Sequence, residues 1–272
     1  MSAYASFKDV SENQDIFNLD DANMSDEYKV AYILRTRKGY YLYKSKDDDD
    51  LYIKSKYGYE FENDIITSQV KKKKNFLCKN KVDLITNCNI IISAKKTIGV
   101  KKYTFKYLNK YNQMESSDLF LKKCMNSWIL QNKHFNYMGI IFNDNVYVRG
   151  RNNPDKILLV MPTYYEGHVK IPNIPANKKN NIVLSYINNS NDNLKVYKNK
   201  EAVWASSVEA YSLRFQFSGG IASSKNSVII NEIDESIIET LKIDQNIMAL
   251  VYKKPISLIH AFSIGLSKFW RN

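Results

Sequence analysis

From Tyr28 onward the chain is built of short apolar runs separated by turn residues. Val30 to Arg37, Tyr40 to Lys46 and Leu51 to Lys56 are rich in Tyr, Ile, Leu and Val, and Lys38-Gly39 and Asp47-Asp48-Asp49-Asp50 break them at hairpin spacing. The same texture returns in residues 83–93, 100–107, 137–142, 146–149, 156–161, 182–187, 194–198, 211–217, 227–233, 237–243 and 247–252. Within 211–217, Tyr211, Leu213, Phe215 and Phe217 alternate with Ser212, Arg214 and Gln216, the period of a half-buried strand. Clusters such as Asn143-Asp144-Asn145 and Asn188 to Asn193 punctuate the runs. Many antiparallel strands at short intervals predict a barrel or sandwich.

Two segments depart from this rhythm. Leu119 to Leu130 places Phe120, Cys124 and Trp128 beside Leu121 and Met125 at helical spacing, with Ser116, Ser117 or Asp118 available as a cap, which predicts an amphipathic helix on the outside of the sheet. The stretch from Pro255 to Trp270 predicts a second helix, with Pro255 in its first turn. Its polar residues between Ser257 and Ser267 are small, apart from His260, and its apolar residues point in every direction. A helix without a polar face is buried or spans a membrane. At about 20 Å this one is too short to span a bilayer but suits the inside of a barrel. His260 reads there as a satisfied core residue.

Charge separates the chain into unlike parts. The 272 residues carry a net charge of +12. Residues 1–28 hold one lysine against seven acids and read as an acidic, disordered arm, leaving 29–272 as one domain. Residues 71–110 hold twelve lysines against one acid, Asp83. Compositional bias toward Lys and Asn supplies part of this charge but does not predict the asymmetry. A polyanionic partner is expected, either an anionic membrane or nucleic acid. Cys78, Cys88 and Cys124 form no paired pattern, which points to a reducing compartment. No signal peptide or apolar stretch of about 18 residues is evident, so membrane contact is expected to be peripheral. His134, His168 and His260 lie in no catalytic or metal-binding context, and the four-Asp run reads as a solvated loop tip. Neither an enzyme, a metal nor a cofactor is expected.

The terminal segment resembles the end of the tubby family through Pro255, Ile256, Ser257, Ala261, Phe262, Ile264, Leu266, Ser267 and Phe269, with His260 where the family has Gln. A second block matches at Asn199, Lys200, Val203, Trp204, Tyr211, Leu213, Phe215, Ala222, Ser223, Lys225, Asn226 and Ile229; a looser one includes Pro154, Lys156, Val160 and Pro162. The resemblance implies a closed antiparallel barrel of about twelve strands around a central hydrophobic C-terminal helix, with short peripheral helices. Pro255, Ala261, Phe262, Ile264, Leu266 and Phe269 would form that core helix.

The same resemblance implies a non-enzymatic protein that binds a bisphosphorylated phosphoinositide such as phosphatidylinositol 4,5-bisphosphate. It would dock peripherally at the plasma membrane from the cytoplasm, as a trafficking or signalling adaptor. Aligning Tyr103-Thr104-Phe105 with the family pattern puts its basic pair at Lys95 and at Ser93, with Lys96 substituting for the latter. Lys101 and Lys102 complete the expected headgroup site, and Lys71, Lys72, Lys73 and Lys74 form an adjoining membrane-facing cluster. The departure from the family's Arg removes bidentate geometry. The alternative is a DNA-binding protein, nuclear in part, using the same surface; a scramblase-like role is a third option. A monomer is expected, and protein cargo is not legible.

Overall fold

The computed structural model describes residues 27–37, 39–44, 90–97, 101–108, 113–142, 156–163, 174–176, 181–190, 193–206, 210–216 and 220–269. The strands are β1 (Lys29–Arg35), β2 (Tyr40–Lys44), β3 (Ile90–Thr97), β4 (Lys102–Leu108), β5 (Met114–Cys124), β6 (Ser127–Gln131), β7 (Asn136–Phe142), β8 (Ile157–Pro162), β9 (Leu194–Asn199), β10 (Val203–Ala205), β11 (Ala210–Ser212), β12 (Ser227–Ile230), β13 (Ser236–Asp244) and β14 (Ile247–Tyr252). Two helices are described, α1 (Ile182–Ile187) and α2 (Leu258–Phe269). Twelve strands close an antiparallel barrel in the order β1-β14-β13-β12-β9-β8-β7-β6-β5-β4-β3-β2, while β10 and β11 form a separate ribbon.

Alternation along each strand sorts its side chains between two environments. Ala31 and Ile33 join an inner cluster with Trp128, Leu250, Phe262, Ile264 and Leu266. Their neighbours Val30 and Tyr32 join an outer cluster with Leu241, Ala249 and Val251. All twelve residues of α2 are buried, so this helix fills the barrel. Its length is about 18 Å. Gly265 lets α2 approach β1, since an added Cβ would collide with Ile33 Cδ1 and lie 3.1 Å from Leu250 Cδ2.

The helix begins after Pro255, which is half-buried in the preceding turn behind a cis Lys254–Pro255 bond. Ser257 stands just before the first turn, and both its backbone N–H and its hydroxyl reach His260 Nδ1, at 3.4 Å and 2.9 Å. This is the back-reaching half of a capping box, with imidazole in the place of a Glu or Gln carbonyl; the Ser257 hydroxyl meets the same ring nitrogen. An N–H directed at Nδ1 requires that nitrogen to accept, which places the proton on Nε2. Burial pushes the His260 pKa down to about 3.

Pro255 is therefore not part of the core helix, contrary to expectation, and three further sequence expectations are corrected. Leu119 to Leu130 is not a helix but most of the β5–β6 hairpin, turning at Met125 and Asn126. Trp128 and Leu130 face the inner cluster while Ile129 lies in an outer cluster covered by α1, so Ser127 to Leu130 is buried throughout and its alternation is invisible in the sequence. Conversely, residues 182–187 form α1 rather than a strand. Asn181 Oδ1 accepts from the N–H groups of Val183 and Leu184 at 3.1 Å and 3.0 Å. Ile182 and Val183 then pack on Ile129, Val160 and Ile174, at a close approach permitted by Gly139, where a Cβ would meet Val183 Cγ2 at 2.9 Å. Finally, within the described residues 211–216 of the expected strand 211–217, only Tyr211 and Ser212 are in a strand; Phe215 instead packs on the outer cluster and the Gln216 N–H donates to the buried Glu239 carboxylate at 3.1 Å. The acidic arm up to residue 26, the four-Asp run and the expected strands 51–56 and 146–149 lie outside the described residues.

Candidate functional site

Three adjacent strands bring the expected basic residues to one rim of the barrel. In β3, Ile92 and Ala94 are buried toward the core; in β4, Tyr103 and Phe105 are; in β5, Leu119 and Leu121 are. Strand alternation therefore turns Lys95, Lys102, Lys106 and Lys122 to the outer face. Lys95 is opposite Thr104, Thr97 opposite Lys102, and Lys102 in turn opposite Lys122. Lys95, Lys106 and Lys122 are exposed and Lys102 is half-buried, its Nζ 3.7 Å from the centre of the Phe120 ring. That contact holds the ammonium against an aromatic face while leaving it unneutralised.

Like charges directly across a ladder destabilise a sheet. Lys102 and Lys122 are such a pair, flanked in their row by Thr97 and the outer-face Ile129 rather than by an acid. Among the described residues, the ion pairs are Lys156–Glu201, Lys195–Glu232, Lys200–Asp234 and Lys253–Glu235, none of which involves Lys95, Lys101, Lys102 or Lys122. Paired strands thus hold a row of cations that form no ion pair among the described residues.

Other expected positions contribute differently. Lys96 pairs with Tyr103 and so lies on the inward register of β3, reaching solvent because it is at the rim. Lys95 and Lys96 therefore diverge rather than converge. Ser93 is half-buried opposite Lys106. Lys101 is exposed in the β3–β4 turn, and its carbonyl accepts from the Lys123 N–H at 2.7 Å, tying that turn to the β5–β6 hairpin. Lys71, Lys72, Lys73 and Lys74 lie outside the described residues. Lys106 and Lys122 were not singled out from the sequence. Alternation about Tyr103 and Phe105 would have revealed Lys106; Lys122 was concealed by the helical reading of its segment.

The inner side of this rim is closed. Tyr103 is fully buried and stacks near Tyr40 and Trp128, with ring centres 5.3 Å and 5.6 Å away. Burial, reinforced by Tyr40, raises its pKa far above the ordinary phenol value, so it is a neutral core residue and no acid for catalysis. The C-terminal end of α2 arrives at the same rim, where Arg35 and Lys225 lie over the Phe269 ring at 5.5 Å and 5.6 Å. These cations suit the negative end of the helix dipole. Among the described residues there is no group of acids, histidines and cysteines able to hold a metal, and no helix long and apolar enough to cross a membrane.

A closed twelve-strand barrel with its own hydrophobic helix as the core, carrying a cationic outer rim, defines a barrel-and-plug protein. The chain belongs to the Tub family, whose model matches residues 40–270. It is similar to human Tubby-related protein 3, 31% identical over 124 residues, which are 45% of this chain and 28% of the human protein. Mouse Tubby-related protein 3 is 31% identical over 133 residues, 48% of this chain and 28% of that protein. Tubby protein homolog 1 of Caenorhabditis elegans is 28% identical over 138 residues, 48% of this chain and 32% of that protein. The matched stretch is thus about a third or less of the length of these relatives.

Proposed function

We propose that this protein binds phosphoinositide headgroups and docks peripherally on anionic membranes through the lysine row of β3, β4 and β5, as a non-enzymatic trafficking or signalling adaptor. The observation that carries the reading is the directly opposed Lys102–Lys122 pair beside Lys95, with no ion pair to an acid among the described residues. Such a pair weakens the sheet and is relieved by a bound polyanion. Several phosphates on one ring suit several fixed ammonium groups, each acting as a point charge.

Magnitudes set the division of labour. A lysine near an anionic leaflet contributes about 1 kcal/mol, fading within a Debye length. Lys95, Lys101, Lys102 and Lys122 together then supply about 4 kcal/mol, an affinity near millimolar. Tighter binding requires fitted contacts to the headgroup.

Vesicle flotation across phosphoinositide isomers, with the Lys102→Ala/Lys122→Ala variant at low and high salt, tests the reading. The double variant is expected to bind about thirtyfold more weakly at low salt. It should fold as stably as the wild type or slightly more so, because a like-charge pair has been removed. Unchanged vesicle binding would refute the assignment. Retained DNA binding in a protein that ignores every vesicle would put the nucleic-acid reading in its place.

A further inference from the structure

The β5–β6 hairpin carries a residue that neither the core nor the lysine row uses. Met125 is 91% exposed at the first position of a two-residue turn, between the paired residues Cys124 and Ser127. Its φ is 51°, in the left-handed region where turn chemistry favours Asn or Gly. A long apolar side chain at this place gains nothing for the fold: it has almost no protein surface to cover and an unfavourable backbone conformation to hold.

The surroundings indicate what covers it. β3 ends at Thr97 and β4 begins at Lys102; β5 ends at Cys124 and β6 begins at Ser127. Since neighbouring strands are antiparallel, the β3–β4 and β5–β6 turns share one rim, and the hydrogen bond from Lys123 N–H to the Lys101 carbonyl joins them. Met125 is therefore the tip of a hairpin whose base carries Lys122 and Lys123, beside Lys101 and Lys102. An apolar tip above a collar of lysines matches the layering of an anionic bilayer, with phosphate outside and hydrocarbon beneath. A soluble polyanion such as nucleic acid offers the charge but no apolar layer.

The geometry points to Met125 as an insertion residue that enters the boundary between lipid headgroups and acyl chains while the lysines engage phosphate. This rests on the membrane reading above and adds to it an orientation: the rim bearing the β5–β6 turn faces the bilayer, and the barrel axis stands away from it. The opposite rim, where α2 enters, points to solvent.

The test uses the full chain and vesicles of phosphatidylcholine, phosphatidylserine and a bisphosphorylated phosphoinositide. Met125→Asn removes the apolar group, adds no charge and suits the left-handed turn. It is expected to weaken vesicle binding about five- to tenfold, by a factor that stays the same at low and high salt. Lys102→Ala/Lys122→Ala is expected to lose a factor that shrinks as salt rises. Met125→Leu should bind as the wild type does, and Met125→Asn should keep wild-type affinity for the soluble inositol bisphosphate headgroup. Vesicle binding by Met125→Asn equal to wild type, with the lysine variant impaired, overturns the insertion and leaves the lipid reading standing. Absence of wild-type binding to any vesicle overturns both.

Discussion

His260 shows how one substitution alters a buried device without altering its shape. The imidazole accepts from Ser257 and is fully enclosed, so the folded protein holds it neutral down to about pH 3. In the unfolded chain it protonates near pH 6.5. The folded pKa is thus the lower one: the unfolded state binds the extra proton, and stability present above pH 6.5 is lost as the pH falls toward 3. Over that window stability declines steadily as the proton is taken up by the unfolded chain. Gln, the residue that the tubby-family pattern places at this position, caps the same turn without titrating. We expect His260→Gln to preserve stability at pH 7.5 and to flatten its decline between pH 6 and pH 4, as read by urea denaturation at several pH values. An identical decline in both proteins would exclude His260 as its source.

At the level of elements, the two exchanged assignments have one cause. Hydrophobic period separates strand from helix where one face meets water. It therefore predicted most of the barrel: Lys29–Arg35, Lys102–Leu108 and Ile247–Tyr252 emerge close to where their alternation or β-branched content put them. It fails where α1 covers the outside of β6, because Ile129 is as buried as Trp128 and Leu130. It fails again at α1, whose Ile and Val content resembles a strand while Asn181 and the packing on β6 and β7 fix a helix. If the cap is what decides α1, Asn181→Ala should cost about 1 kcal/mol of global stability in chemical denaturation. A change below a few tenths would assign α1 to packing alone. The candidate site follows the same logic: Lys95 and Lys102 are suggested by the family resemblance, their place on the outer face and that of Lys122 need the strands, and the divergence of Lys95 from Lys96 needs the pleat.

The whole molecule has two unlike ends. The β1–β2, β3–β4, β5–β6 and β13–β14 turns share the rim where Lys95, Lys101, Lys102 and Lys122 lie. The other rim holds the β12–β13 turn with Glu232, Asp234 and Glu235, and the entry to α2, where Lys253 pairs with Glu235 and lies 5.0 Å from the Tyr28 ring. Tyr28 is fastened there by its hydroxyl to the Ser236 carbonyl at 2.8 Å. Tyr28 is thus anchored on the rim away from the lysine row. α2 connects the two ends and provides the centre of the inner cluster. Burial of Leu258, Ile259, Phe262, Ile264, Leu266 and Phe269 stabilises the fold by about 10–15 kcal/mol, as much as the net stability of an ordinary domain. A chain ending at Tyr252 is accordingly expected to show no cooperative thermal or urea transition, followed by near-ultraviolet dichroism. A native-like melt from that fragment would contradict the role of the helix as core.

The order of synthesis gives this plug a further consequence. Residues 258–269 leave the ribosome only after every strand they will support, and β1 waits for β14 before its second edge is paired. Until then the nascent chain carries greasy inner faces and open strand edges, with no partial barrel to hide them. Interrupted translation would leave a client for chaperones rather than a smaller working protein.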